Sequence, residues 1–60
     1  METVMTTIKN TWDITYLKDI DGKYNAQIFS IGQVYKELKG YTTLNQAIKA
    51  ASHFINNVGG

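Results

Sequence analysis

Cysteine, proline and arginine are all missing from this 60-residue sequence. Without cysteine the chain can form neither a disulfide nor a thiolate metal site, and the single histidine, His53, cannot hold zinc alone. No apolar run approaches the roughly 20 residues of a membrane span, and none has the character of a signal-peptide core, so we expect a cytoplasmic protein. A core this small, without covalent or metal staples, is marginal in stability, which favours self-association.

The charged residues are nearly balanced, with six lysines and five acidic residues. A domain that binds nucleic acid through electrostatics usually carries a basic face that includes arginine. The composition therefore disfavours nucleic-acid binding from the outset.

The first two predicted strands alternate apolar and polar residues, as half-buried strands do. A three-residue loop at residues 20–22 sets Tyr16 opposite Ala26, whereas a two-residue turn would oppose apolar residues of one strand to polar residues of the next. The longer loop also places Gly22 third, where a type I turn followed by a bulge requires a positive φ.

The second hairpin is predicted by the same reasoning. With residues 30–32 as its loop, Ile28 faces Val34 and Tyr24 faces Leu38, and Gly32 takes the left-handed position. Lys36 is the one charged residue on the resulting inner face, where its ammonium group can still reach water. The apolar members of that face are Trp12, Ile14, Tyr16, Tyr24, Ala26, Ile28, Val34 and Leu38.

A capped helix follows the strands. Thr43 and Gln46 have the spacing of a capping box, in which each side chain bonds a free backbone N–H at the other position. Apolar residues then recur every three or four positions, which predicts a helix with one buried face. Its members are Leu44, Ala47, Ile48, Ala51, Ile55 and Val58.

The sequence thus predicts a single α+β domain over residues 1–60. It comprises an extended N-terminal segment (1–10), a three-stranded antiparallel sheet (11–39) and a helix (43–58) packed on one face of the sheet, in the order β-β-β-α. The N-terminal segment is rich in threonine and contains Val4 and Ile8, which favour extended structure. It can lengthen the first strand, add an edge strand or stay loose.

The register leaves the other side of the sheet open. Leu17, Phe29 and Tyr35 contribute apolar area there among mostly uncharged polar residues. A neutral face of this kind resembles a protein-contact surface more than a phosphate-contact surface. The alternative interpretation is a solvated sheet whose aromatic residues only stabilise neighbouring strands. We therefore take Leu17, Phe29 and Tyr35 as the candidate protein-interaction residues.

No group of residues predicts catalysis, a cofactor or a metal. The segment 19–22 resembles the start of a calcium loop but lacks the distal glutamate, and a hairpin loop explains it fully. His53 has no acidic residue close in sequence, and Ser30 has no neighbouring base. Trp12 is expected to pack at the core or its edge. We therefore expect no enzymatic activity.

Residues 23–55 resemble the β-β-β-α portion of double-stranded RNA-binding domains, through the glycine turn between two strands and the paired alanines Ala50 and Ala51. The segment 23–28 and the entry into the alanine-rich helix are similar to plant Apetala-type and integrase arm-type DNA-binding domains. Where the RNA-binding family begins its last helix with lysines, this chain has Thr43, Leu44 and Ala47. The resemblance implies the fold, and we carry over no site residue.

Two functions follow as expectations. The first is a small non-enzymatic module of regulatory or inhibitor type, which binds another protein or a second copy of itself, as a homodimer, through the open face or an edge of the sheet. The second is a reduced nucleic-acid-binding domain that uses Lys18, Lys23, Lys36 and Lys39. The lysine-rich, arginine-free composition suggests an origin in a phage or an AT-rich bacterium.

Overall fold

The computed structural model describes residues 1–9, 11–30 and 33–58. Four strands are followed by one helix, and the strands form an antiparallel sheet in chain order. The elements are β1 (Glu2–Lys9), β2 (Trp12–Lys18), β3 (Tyr24–Ser30), β4 (Gln33–Tyr41) and α1 (Leu44–Val58). The α+β class and the C-terminal helix on the sheet are confirmed.

The prediction of three strands was wrong, because the N-terminal segment forms β1 along the free side of β2. Its valine, isoleucine and threonine residues favour a pleated strand. Pairing with β2 also brings Met5 opposite Tyr16, where the methionine packs against the core. An edge strand thus adds buried apolar area to a small domain.

The first hairpin has the predicted register, with Tyr16 opposite Ala26. The backbone N–H of Gly22 donates to the carbonyl of Asp19 at 3.1 Å, and the N–H of Asp19 donates to the carbonyl of Lys23 at 2.9 Å. Gly22 has a φ of 82°, the left-handed conformation that the predicted loop requires.

The predicted register of the second hairpin was wrong by two positions. Ile28 lies opposite Lys36 instead of Val34, and Ala26 lies opposite Leu38. The pairing shifts between Ile28 and Phe29, so that Tyr35 is an extra residue on β4. The alternation of neither strand marks where the extra residue lies, which is why the hydrophobic pattern did not reveal the bulge. The predicted left-handed Gly32 lies outside the described residues.

A second irregularity in β4 involves Gly40. The pairing shifts again between Tyr24 and Ala26, and Gly40 has a φ of 86°. The N–H of Gly40 donates to Oδ1 of Asn25 at 3.2 Å. This bond satisfies the amide oxygen of Asn25, which lies opposite Leu17 and is only 3% exposed.

Both threonines before the helix take part in its cap. The N–H of Gln46 donates to Oγ1 of Thr43 at 3.2 Å, which is one half of the predicted capping box. The other half uses Thr42, whose backbone N–H and hydroxyl donate to Oε1 of Gln46 at 3.1 and 2.7 Å. The helix cap therefore begins at Thr42, one residue earlier than the spacing of Thr43 and Gln46 predicted.

The core lies between α1 and strands β2, β3 and β4. Its fully buried side chains are Ile14, Tyr16, Ala26, Ile28, Ala47, Ala51 and Ile55, all of which were predicted. Burial raises the pKa of Tyr16, and a hydrogen bond with Thr7 partly offsets this shift. Phe54, which the helical pattern did not single out, also packs against the core. The side chains of Val34 and Val58, predicted to be apolar contacts, lie outside those described.

Candidate interaction surfaces

The side of the sheet away from the helix is organised in rows that cross the strands. The row at its centre, here called the central row, consists of Thr6, Thr15, Gln27 and Glu37, one residue from each strand. Three of these four side chains are uncharged. A partner that approaches this open face therefore meets hydroxyl and amide groups across the middle of the sheet.

The acidic end of the central row is neutralised within the chain. Oε2 of Glu37 accepts a hydrogen bond from Nε2 of Gln27 at 3.0 Å, and Nζ of Lys39 lies 3.3 Å from Oε1 of Glu37. The hydrogen bond from Gln27, followed by the interaction with Lys39, lowers the pKa of Glu37. Glu37 and Lys39 therefore add little net charge to the open face.

Two of the three predicted interaction residues lie on the open face. Leu17 is opposite Asn25, and Phe29 is opposite Asp13, in rows on either side of the central row. Both side chains are half-buried among their neighbours. They give the face apolar area at two separate places.

The structure places Tyr35 elsewhere, which corrects its predicted position on the open face. Its ring centroid lies 5.1 Å from that of Trp12 and 5.9 Å from that of Phe54 on the helix. Because Tyr35 is the extra residue of the β4 bulge, its side chain turns to the helix side of the sheet. The ring nevertheless remains 58% exposed.

Ile8 provides apolar area that the sequence reasoning did not assign to this face. It lies opposite Asp13, in the same row as Phe29, and is 74% exposed. The alternation of Thr6 and Ile8 is the signal that could have placed it, once the segment was recognised as a paired strand.

The four lysines of the nucleic-acid alternative do not form one patch. Lys36 lies opposite Ile28 on the helix side of β4, whereas Lys39 is on the open face beside Glu37. Nζ of Lys18 lies 5.8 Å from the centre of the Tyr24 ring. Lys23 is exposed in the first hairpin loop. Their positive charges are therefore divided between the helix side of the sheet, the open face and the hairpin loop.

Hydrogen bonds within the acidic loop at residues 19–22 hold its conformation. Oδ1 of Asp19 accepts the backbone N–H groups of Asp21 and Lys23, each at 3.0 Å. On the helix, Nε2 of His53 lies 3.0 Å from Nδ2 of Asn57. Among residues 1–9, 11–30 and 33–58, no three histidine, aspartate or glutamate side chains are grouped so that they could hold a metal ion.

A shallow, open depression of about 330 Å³ lies where the start of β1 meets the first hairpin loop. Its lining residues are Met1, Glu2, Lys18, Asp19 and Ile20. It brings together both signs of charge and no buried polar group, so we assign it no ligand. Within the described part of the chain, no helix is long and apolar enough to cross a membrane.

The two edges of the sheet differ in character. The β4 edge carries Lys36, Glu37 and Lys39, all exposed, and is bent by two bulges. Charged side chains along an edge strand disfavour pairing with a further strand. The β1 edge has charges only at its ends, Glu2 and Lys9, and uncharged residues between them. It is the edge that remains able to pair.

Comparisons with known protein families, curated proteins and solved structures give no match to this chain. A function can therefore be inferred only from the surfaces described above.

Proposed function

We propose that the protein is a small non-enzymatic interaction module of regulatory or inhibitor type, which binds a protein partner through the open face or the β1 edge. The observation that carries the proposal is that a helix covers only one side of a four-stranded sheet. The proposal includes a cytoplasmic location. It also includes an origin in a phage or AT-rich bacterium, which the composition supports.

The chemistry of the open face supports a protein partner. Leu17, Phe29 and Ile8 provide apolar contacts, and the central row between them provides hydrogen-bonding groups with almost no net charge. Protein interfaces combine apolar contacts with polar groups and are depleted of charge at their centre. A surface that binds phosphates would instead concentrate positive charge.

A light-activated cross-linker can test this proposal in cells of the native host. A photo-reactive amino acid replaces Thr15, in the middle of the open face, and in a matched variant replaces Lys49, which is exposed on the helix. We expect the Thr15 variant to form cross-links to protein that survive nuclease treatment, and the Lys49 variant to form few.

Two outcomes would contradict the proposal. Equal cross-linking from Thr15 and Lys49 would mean that the open face is not a specific surface. Cross-links that nuclease removes would favour the nucleic-acid alternative through Lys18, Lys23, Lys36 and Lys39. That alternative also predicts an affinity that falls steeply as the salt concentration rises.

A further inference from the structure

The β1 edge is open to a further strand and lies at the margin of the helix layer. The helix packs on β2, β3 and β4, so a neighbour can approach β1 from outside the sheet. Val4 and Ile8 are 42% and 74% exposed on this strand. An uncharged edge of threonine and aliphatic residues is the kind that pairs with another chain.

A bulge determines which side each β1 residue faces. Val4 is the extra residue, because the pairing with β2 shifts between Thr3 and Met5. As a result Glu2 lies opposite Lys18 and Lys9 lies opposite Trp12, both on the helix side. In a regular strand, residues 2 and 9 would face opposite sides, because side chains alternate.

This arrangement makes β1 complementary to itself. Two antiparallel copies are related by a two-fold axis perpendicular to the sheet, and residues directly opposite each other face the same side. If the axis passes at Thr6, Met5 lies opposite Thr7 of the second copy. With Val4 left as the extra residue in this pairing too, Thr3 lies opposite Ile8. Beyond these pairs, Glu2 of each copy lies opposite Lys9 of the other.

We infer that the partner of the β1 edge is a second copy of this chain, paired antiparallel around Thr6. The result is one continuous sheet of eight strands, four from each copy, with both helices on the same side. The attraction between Glu2 of each copy and Lys9 of the other favours this register. The residues between them carry no charge, so they cause no repulsion between the two strands. The inference rests on the proposed function, since it names the partner for one of the two proposed surfaces.

Single cysteine substitutions along the central row can locate the two-fold axis of the dimer. The chain contains no cysteine, so a single introduced cysteine can form a disulfide only between copies. We expect Thr6→Cys to become mostly disulfide-linked under mild oxidation, because directly opposite residues have Cα atoms about 4.5–5.5 Å apart, within disulfide range. Thr15→Cys, one strand further in, is the matched control and should remain unlinked.

Other results of the scan overturn the inference. Linkage strongest at Thr15→Cys or Gln27→Cys would mean that two open faces pack together. Linkage strongest at Glu37→Cys would move the interface to β4. Absence of linkage at all four positions, together with a monomer by sedimentation, would reject a second copy as the partner. The proposed function is tested separately, because the cross-linking experiment in cells detects binding to a foreign protein.

Charge reversal tests the register. Glu2→Lys and Lys9→Glu each replace two attractive pairs in the dimer by two repulsive pairs. We expect each variant alone to dimerise about tenfold more weakly at low salt, because like charges directly opposite each other on paired strands are destabilising. An equimolar mixture of the two variants restores opposite charges at both ends and should recover the wild-type affinity within about threefold.

Lys49→Glu is the matched control for Lys9→Glu, since it makes the same change in net charge at an exposed helix position. We expect it to leave the dissociation constant of the dimer unchanged. If the mixture dimerises no better than either variant alone, Glu2 and Lys9 do not face each other and the proposed register is wrong.

Discussion

At the scale of single residues, the left-handed backbone conformation occurs both at a glycine and at a β-branched residue. Gly22 has a φ of 82° and Thr11, just before β2, has a φ of 70°. Glycine adopts this conformation without steric cost, whereas a β-branched residue is strained in it. Glycine at position 22 therefore suits its backbone conformation, whereas threonine at position 11 is strained in its own.

We expect Gly22→Val to destabilise the protein by roughly 1–3 kcal/mol, the cost of placing such a residue in a sparsely populated backbone region. A Cβ atom at Gly22 would meet no other atom within 4 Å, so backbone strain alone accounts for the loss. Gly22→Asn is the control, because asparagine tolerates this conformation. Chemical denaturation measures both. Equal losses for the two variants would contradict the assignment of strain.

The same reasoning predicts that Thr11→Asn stabilises the protein, by about 0.5–1 kcal/mol, since it removes part of the strain at a positive φ. Thr11→Val retains the branched side chain and should give no gain. Thermal melting of both variants provides the measurement. A gain from valine that equals the gain from asparagine would mean that backbone strain at Thr11 is not the cause.

At the scale of the elements, the helix shows what a hydrophobic period can predict about burial and what it cannot. Its predicted buried positions from Leu44 to Ile55 lie on one side, but they are not equivalent in the structure. Ile55 and Ala51 are fully buried, whereas Ile48 is only partly buried. A hydrophobic period identifies the face that packs. The depth of each side chain depends on the strand beneath it.

We expect Ile55→Ala to cost about 2–5 kcal/mol, the usual range for truncating a fully buried side chain. Ile48→Ala should cost less, since part of that side chain is already in contact with water. Asn56→Ala, next to Ile55 but exposed, should change the unfolding free energy by less than about 0.5 kcal/mol. Urea unfolding tests this order, and a larger loss at Ile48 than at Ile55 would contradict it.

At the scale of the whole molecule, the open face and the β1 edge are separate surfaces of one sheet. An edge-paired dimer would leave both open faces accessible, on the same side of the enlarged sheet. Dimer formation and binding to a foreign protein are therefore compatible, and substitutions can separate them.

The double variant Leu17→Lys/Phe29→Lys makes this separation. Because both residues lie on inner strands, β2 and β3, we expect sedimentation to show a dimer as stable as that of the wild type. Cross-linking from the photo-reactive group at Thr15 should be lost, since charge disrupts an apolar contact surface. Circular dichroism checks that the variant is folded. A folded variant that becomes monomeric would place the dimer interface on the open face.

Local chemistry specifies the elements that could be predicted from the amino acids alone. The first hairpin follows from Gly22 and from the alternation of its two strands, and α1 follows from its cap and its apolar period. In each case the residues that specify the element are close together in the chain. Their period and turn chemistry agree, which leaves one register.

The pairing of β1 and the bulges of β4 depend on contacts between segments that are far apart in the chain. The N-terminal segment was compatible with several arrangements, and its pairing depends on the free edge of β2 and on the contact of Met5 with the core. The bulge that turns Tyr35 towards Trp12 and Phe54 has no sequence signature of its own. A bulge inserts one residue opposite a partner strand, so its position is a property of the pair of strands and cannot be derived from either strand alone.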